Sequence, residues 1–188
     1  MKKQNSLSRS ALIVASVTLL LLLVPFVAMQ FTAEVDWSIG DFLIMGALIF
    51  STGMAYVLLS RSSSHTAFKI ACGLAVATTF LMIWANLAVG LVGSGPNAAN
   101  LLLMAPVFVV VIGALRSGFT ASGMEKVMYA AALCLALVTV MTLVIGIDQQ
   151  PGSAAVEILA VSGFFAGLYV VAGALFHYAG KGRVIQGT

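Results

Sequence analysis

The chain has 188 residues, of which 61% are hydrophobic and 8% charged, and its formal net charge is +3. A soluble domain carries roughly 25% charged residues, and so small a molecule could not cover this apolar content with polar surface. The composition therefore excludes a water-soluble domain, a collagen, a disulfide scaffold and a disordered chain. We expect one integral membrane domain over residues 1–188, with no soluble domain.

Six apolar stretches follow one another along the chain, each bounded by polar or turn-forming residues. A membrane-spanning helix needs about 20 residues, and none of the stretches alternates apolar and polar residues as a barrel strand would. The predicted fold is an all-α, six-helix membrane bundle. The first apolar run exceeds the roughly 7–15 residues of a signal-peptide core, so we expect it to be retained as an anchor. The predicted spans are Ala11–Phe31, Phe42–Ser60, Phe68–Gly93, Asn100–Leu115, Val127–Ile147 and Ala155–Tyr178.

The basic residues indicate how these spans are oriented. All nine lysines and arginines precede the first span, follow the sixth, or lie between the second and third or the fourth and fifth. Removing one span would put basic residues on both sides, so the pattern also supports six crossings. The positive-inside rule then predicts that both termini lie in the cytoplasm. The charged residues on the opposite side are all acidic, namely Glu34, Asp36, Asp41, Asp148 and Glu157.

Small and polar residues recur at helical spacing in four of the spans. In lipid, helices associate by close packing of small residues, because the hydrophobic drive between them is weak. We expect these faces to point inward and the leucines, valines and phenylalanines to face lipid. The faces are Gly46, Ile49, Gly53, Tyr56 and Ser60 in the second span; Cys72, Ala75, Thr79, Met82, Asn86, Gly90 and Gly93 in the third; Ala132, Leu135, Thr139, Thr142 and Gly146 in the fifth; and Ala160, Gly163, Gly167, Val170, Ala174 and His177 in the sixth.

Several residues are typical of helix ends and kinks. Asp41 and Asn100 are predicted to cap the second and fourth spans. The Ser122-x-x-Glu125 pattern predicts a capping box at the start of the fifth span. Pro106, inside the fourth span, is predicted to kink it.

Polar residues within the spans are the candidate ligand or pathway residues. Asn86, beside Trp84, can bond a neighbouring helix or contact a polar ligand. Asn97 and Asn100 belong to a turn-rich connection that either reverses the chain or forms a site. Glu157 either stabilises a helix N-terminus or acts as an ionisable group near the membrane.

Metal, cofactor and nucleic-acid sites are not predicted. The two histidines, His65 and His177, are interpreted as solvated rim residues rather than haem ligands, and no spacing of His and carboxylates fits a zinc or di-metal centre. The net charge reflects topology and does not indicate a nucleic-acid partner.

Several segments of the sequence stand out together, namely Asp41-Phe42, Trp84–Ser94, Asn97–Asn100, Ile112–Leu115 and the stretch from Glu157 to Phe176. In these segments the chain resembles a group of small bacterial multi-pass membrane proteins with no assigned activity. The resemblance covers most of the chain from about Glu34, and it implies a location in the bacterial inner membrane.

Two functions from different classes fit these features. The first is a non-catalytic structural or accessory protein, oligomeric through the glycine faces of the second and sixth spans. The second is a small permease or channel whose cavity is lined by Thr79, Asn86, Thr139 and Glu157. The expected partners are the lipid bilayer and a second copy or a membrane complex.

Overall fold

The structure, a computed structural model, describes residues 2–88, 90, 98–146 and 154–185, with side chains for 7–88, 90, 100–146 and 154–181. This part of the chain is helical and contains no strand. Five of its helices are long and apolar enough to cross a membrane, and Asn100–Arg116 is a shorter apolar segment. The prediction of an all-α membrane protein is confirmed at this level. The helices are α1 (Lys2–Ala28), α2 (Ile39–Ser60), α3 (Thr66–Ala88), α4 (Ala98–Leu102), α5 (Ala105–Arg116), α6 (Ala121–Val144) and α7 (Ala155–Ile185).

The fourth predicted span is not one helix. A turn at Leu103 and Met104 separates α4 from α5. Pro106 stands at the start of α5, where its missing N–H costs no hydrogen bond, so the predicted mid-span kink is wrong. Asn100 lies within α4 and is buried, so the prediction that it caps a long fourth helix is also wrong.

The first compact unit ends at Leu58 and is built on the hairpin of α1 and α2. Two of its glycines bring the helices together. A Cβ atom at Gly53 would lie 2.7 Å from a methyl group of Val14, and one at Gly46 would lie 3.2 Å from a methyl group of Leu22. Most apolar side chains of this hairpin are exposed, as expected for helices that face lipid.

The N-terminus of α2 is closed by a reciprocal pair of side chains. The Asp41 carboxylate accepts hydrogen bonds from the Ser38 amide at 2.8 Å and the Ser38 hydroxyl at 2.7 Å. The Ser38 hydroxyl in turn accepts a hydrogen bond from the Asp41 amide at 3.3 Å. The helix therefore begins at Ile39, before the predicted position, and Asp41 takes part in a capping box of which Ser38 is the N-cap.

The second compact unit begins at Leu59 and contains the main core. In it α6 packs against both α5 and α7, and α7 packs against α3. The rings of Phe68 and Phe176 meet edge to face, with their centroids 5.3 Å apart. The largest fully buried side chains are Phe68, Met82, Leu103, Met124, Met128, Leu135, Ile158, Tyr169 and Phe176.

The predicted inward faces are confirmed for α3 and α6 and wrong for α7. Cys72, Ala75, Leu135 and Thr139 are all buried. In α7 the inward face instead carries the aromatic residues Phe165, Tyr169 and Phe176, and the predicted small-residue face lies on the opposite side. Aromatic side chains bury far more area than glycine, so they decide which face packs inward. The inward residues of α7 are Ile158, Ser162, Phe165, Tyr169, Ala172, Phe176 and Ala179.

The predicted capping box at Ser122 and Glu125 is wrong. The α6 helix begins at Ala121, and its N-cap is Thr120, whose hydroxyl oxygen accepts a hydrogen bond from the Gly123 amide at 3.2 Å. The cap lies about two turns ahead of Val127, where the predicted apolar run begins. The Glu125 carboxylate instead contacts His177.

Candidate functional site

The three buried threonine hydroxyls that the structure describes in the second unit are hydrogen-bonded within their own helices. The Thr78 hydroxyl donates to the Leu74 carbonyl oxygen at 2.7 Å, Thr139 to that of Leu135 at 2.8 Å, and Thr142 to that of Thr139 at 2.7 Å. Such back-bonding hides a polar group from its surroundings. These threonines therefore carry no hydroxyl proton free for a solute.

One pair of side chains links α3 to α7 deep in the unit. The hydroxyl oxygens of Thr79 and Tyr169 are 3.1 Å apart. Because the Thr79 proton goes to the Ala75 carbonyl oxygen at 2.8 Å, the Tyr169 hydroxyl is the donor in this pair. Sequence reasoning named Thr79 and missed Tyr169, although a tyrosine in mid-span, whose O–H needs a partner in lipid, is a usable sign of one.

Asn86 is the exception among the interior polar groups. Its side-chain oxygen is buried and has no hydrogen-bond partner among the described residues. Its neighbour Trp84 is 42% exposed. Asn97 lies outside the described residues, and Asn100 is buried on α4.

The four predicted pathway residues differ in burial and in hydrogen bonding. Thr139 is buried in α6, whereas Glu157 is exposed in the first turn of α7. Among the described residues, no hydrogen bond joins Thr139 or Glu157 to Thr79 or Asn86.

The small-residue face of α7 is open. A Cβ atom at Gly163 or Gly167 would meet no atom within 4 Å, and both residues are exposed. The face continues along the helix through other exposed residues, namely Ala160, Val170 and Ala174. Gly46 and Gly53 differ, because α1 already occupies their face.

At one end of the second unit the ends of α3, α6 and α7 meet. The His177 Nδ1 atom lies 3.0 Å from a Glu125 carboxylate oxygen, which ties α7 to α6. The ring of His65 lies edge-on to that of Tyr178, with centroids 6.2 Å apart, and the His65 Nδ1 atom accepts a hydrogen bond from the Ala67 amide at 3.2 Å. Sequence reasoning treated the histidines as free rim residues. The lone acid Glu125 on the basic side was the available sign of a partner.

The described residues include no group of three or more His, Cys, Asp or Glu side chains that could hold a metal ion. No protein-family model, curated protein or solved structure matches the chain.

Proposed function

We propose that this chain is a non-catalytic structural or accessory membrane protein that assembles with a second copy through the small-residue face of α7. The observation that carries the proposal is the open face at Gly163 and Gly167, which are spaced to lie on one side of a helix. Helices in lipid approach most closely where glycines repeat at this spacing. The glycines of α2 serve the hairpin, so α7 is the helix with a free face of this type.

The hydrogen bonding of the interior polar side chains supports a role in assembly over a role in solute passage. The threonine hydroxyls are satisfied by backbone oxygens or by Tyr169, and Glu157 is exposed apart from them. These arrangements fit helices that pack, and we therefore place Thr79 and Thr139 in packing roles.

We further infer six crossings, with both termini in the cytoplasm of a bacterial inner membrane. The distribution of lysine and arginine supports the orientation, and the resemblance described above supports the location. Five crossings are the five long helices. The remaining crossing, fourth in chain order, would be made by the apolar segment Asn100–Arg116 together with the residues that precede it.

The assembly proposal is tested with the double variant Gly163→Leu/Gly167→Leu. Two leucines would hold the partner helix away, so we expect self-association in detergent to weaken by about tenfold or more, equivalent to ~1.4 kcal/mol. The measurement is the dimer fraction as a function of the ratio of protein to detergent, by analytical ultracentrifugation.

A matched control is Ala136→Leu, which adds similar bulk to the exposed face of α6. We expect this control to leave the dimer fraction unchanged. An unchanged mass distribution for the double-glycine variant, or a chain that is monomeric before substitution, would rule out assembly through this face.

A further inference from the structure

Cationic side chains gather at the end of the second unit where α3, α6 and α7 meet. Lys69 lies in the first turn of α3, Arg116 ends α5, Lys126 follows the start of α6, and Lys181 lies near the end of α7. All four are exposed. A Cβ atom at Gly180 would lie 3.7 Å from that of Ala121, so the lysine-bearing ends of α6 and α7 are adjacent.

Arg116 and Lys126 are also brought together by packing. One turn before Arg116, a Cβ atom at Gly113 would lie 2.8 Å from a methyl group of Val127. This close approach of α5 to α6 sets the two cations on neighbouring helices at one level.

These cations have no acidic partner in the described part of the chain. Among the described residues, the carboxylate near this end is that of Glu125, and it is paired with His177. Within that part of the chain, no carboxylate therefore offsets the charge of Lys69, Arg116, Lys126 and Lys181.

The four cations stand at the boundary between apolar and polar surface. One turn or less from Arg116, Leu115 is 67% exposed and Ile112 is 53% exposed. Tyr129, one turn after Lys126, and Tyr178, one turn before Lys181, are exposed aromatic residues of the kind that settle at headgroup depth. An acyl chain can therefore lie along the helix while a headgroup meets the cation.

We propose that this end of the second unit binds the headgroup phosphates of anionic phospholipids, with Arg116 and Lys126 forming the centre of the site. Arginine offers a planar fork of donors that matches two phosphate oxygens, and lysine adds a point charge beside it. A lipid is favoured over an acidic protein because exposed apolar helix surface lies next to the cations on one side, where acyl chains can pack.

The test uses the full chain reconstituted in phosphatidylcholine vesicles that contain a trace of spin-labelled phosphatidylglycerol or spin-labelled phosphatidylcholine. The immobilised fraction of each label reports its association with the protein. A Lys or Arg near an anionic lipid contributes about fivefold in affinity. We expect the wild type to select phosphatidylglycerol by about fivefold or more, and high salt to reduce this selectivity.

Two double variants distinguish an effect of charge on lipid binding from an effect on folding. Arg116→Gln/Lys126→Gln removes both charges, whereas Arg116→Lys/Lys126→Arg keeps them. We expect the glutamine pair to lose most of the selectivity and the exchanged pair to retain it, with equal helix content by circular dichroism. Equal association of the two lipids with the wild type, or full selectivity in the glutamine pair, would overturn the proposal. So would loss of selectivity on adding excess inorganic phosphate at matched ionic strength, since that result would identify a site for the free anion.

Discussion

At the scale of single residues, hydrogen bonding distinguishes Asn86 from the polar groups around it. A buried oxygen without a partner costs about 1–3 kcal/mol, whereas a satisfied hydroxyl costs little. The described part of the chain leaves the Asn86 side-chain oxygen without a partner and gives Thr79 a bond to Tyr169 on a neighbouring helix.

We therefore expect opposite effects from two apolar substitutions. Asn86→Leu should raise the free energy of unfolding by ~1 kcal/mol, because it removes an unpaired acceptor. Thr79→Val should lower it by ~1 kcal/mol, because the Tyr169 hydroxyl is left buried without its acceptor. Reversible unfolding in mixed micelles measures both. A destabilised Asn86→Leu variant would mean that the amide has a partner of its own, such as a bound solute.

At the scale of helices, close approach depends on where glycine lies. Gly113 on α5 has no space for a side chain against Val127, whereas Gly163 on α7 has open space. β-branched valine is held by its preferred rotamer and cannot easily withdraw.

Alanine substitutions at these two glycines should therefore differ. We expect Gly113→Ala to destabilise the protein by about 1–3 kcal/mol through overpacking of α5 against α6. Gly163→Ala should be neutral or stabilising by a few tenths of a kcal/mol, since alanine favours helix over glycine. Thermal unfolding in one detergent compares them, and equal losses would contradict the contact at Val127.

The helix scale also explains which predictions succeeded. In α3 and α6 the small residues and threonines lie opposite rows of leucine and valine, so periodicity identifies the inward face. In α7 glycines on one side compete with Phe165 and Tyr169 on the other, and only the packed partners decide between them. The fourth span was misread because an apolar run does not reveal that Leu103 and Met104 form a turn. Thr79 and Asn86 could be named as interior polar residues, but the bond of Thr79 to Tyr169, and the lack of a partner for the Asn86 oxygen among the described residues, depend on three-dimensional neighbours.

At the scale of the whole molecule, the number of crossings sets the side on which each connection lies. Between Ser8 and Ser122 lie α1, α2, α3 and the pair α4 and α5. If the pair crosses the membrane, the two serines share a side, and if it does not, they face opposite sides.

Cysteines introduced singly at Ser8, Ser122 and Ala154, all exposed, distinguish these cases. With an impermeant thiol reagent applied to intact cells, we expect labelling at Ala154→Cys and protection at Ser8→Cys and Ser122→Cys. The unsubstituted chain is the control for Cys72 and Cys134. Labelling of either Ser8→Cys or Ser122→Cys from outside would contradict the proposed orientation. Labelling of one of the two alone would show that α4 and α5 do not cross the membrane.

The chain's two tryptophans are shared between its two compact units. Trp37 lies in the first unit, its ring 5.2 Å from that of Phe42, and Trp84 lies on α3 in the second. Each unit thus has a built-in fluorophore in a distinct environment, one edge to face with a neighbouring ring and the other partly exposed on a helix. Single-tryptophan chains would let emission spectra follow the hairpin and the larger helical unit independently during denaturation.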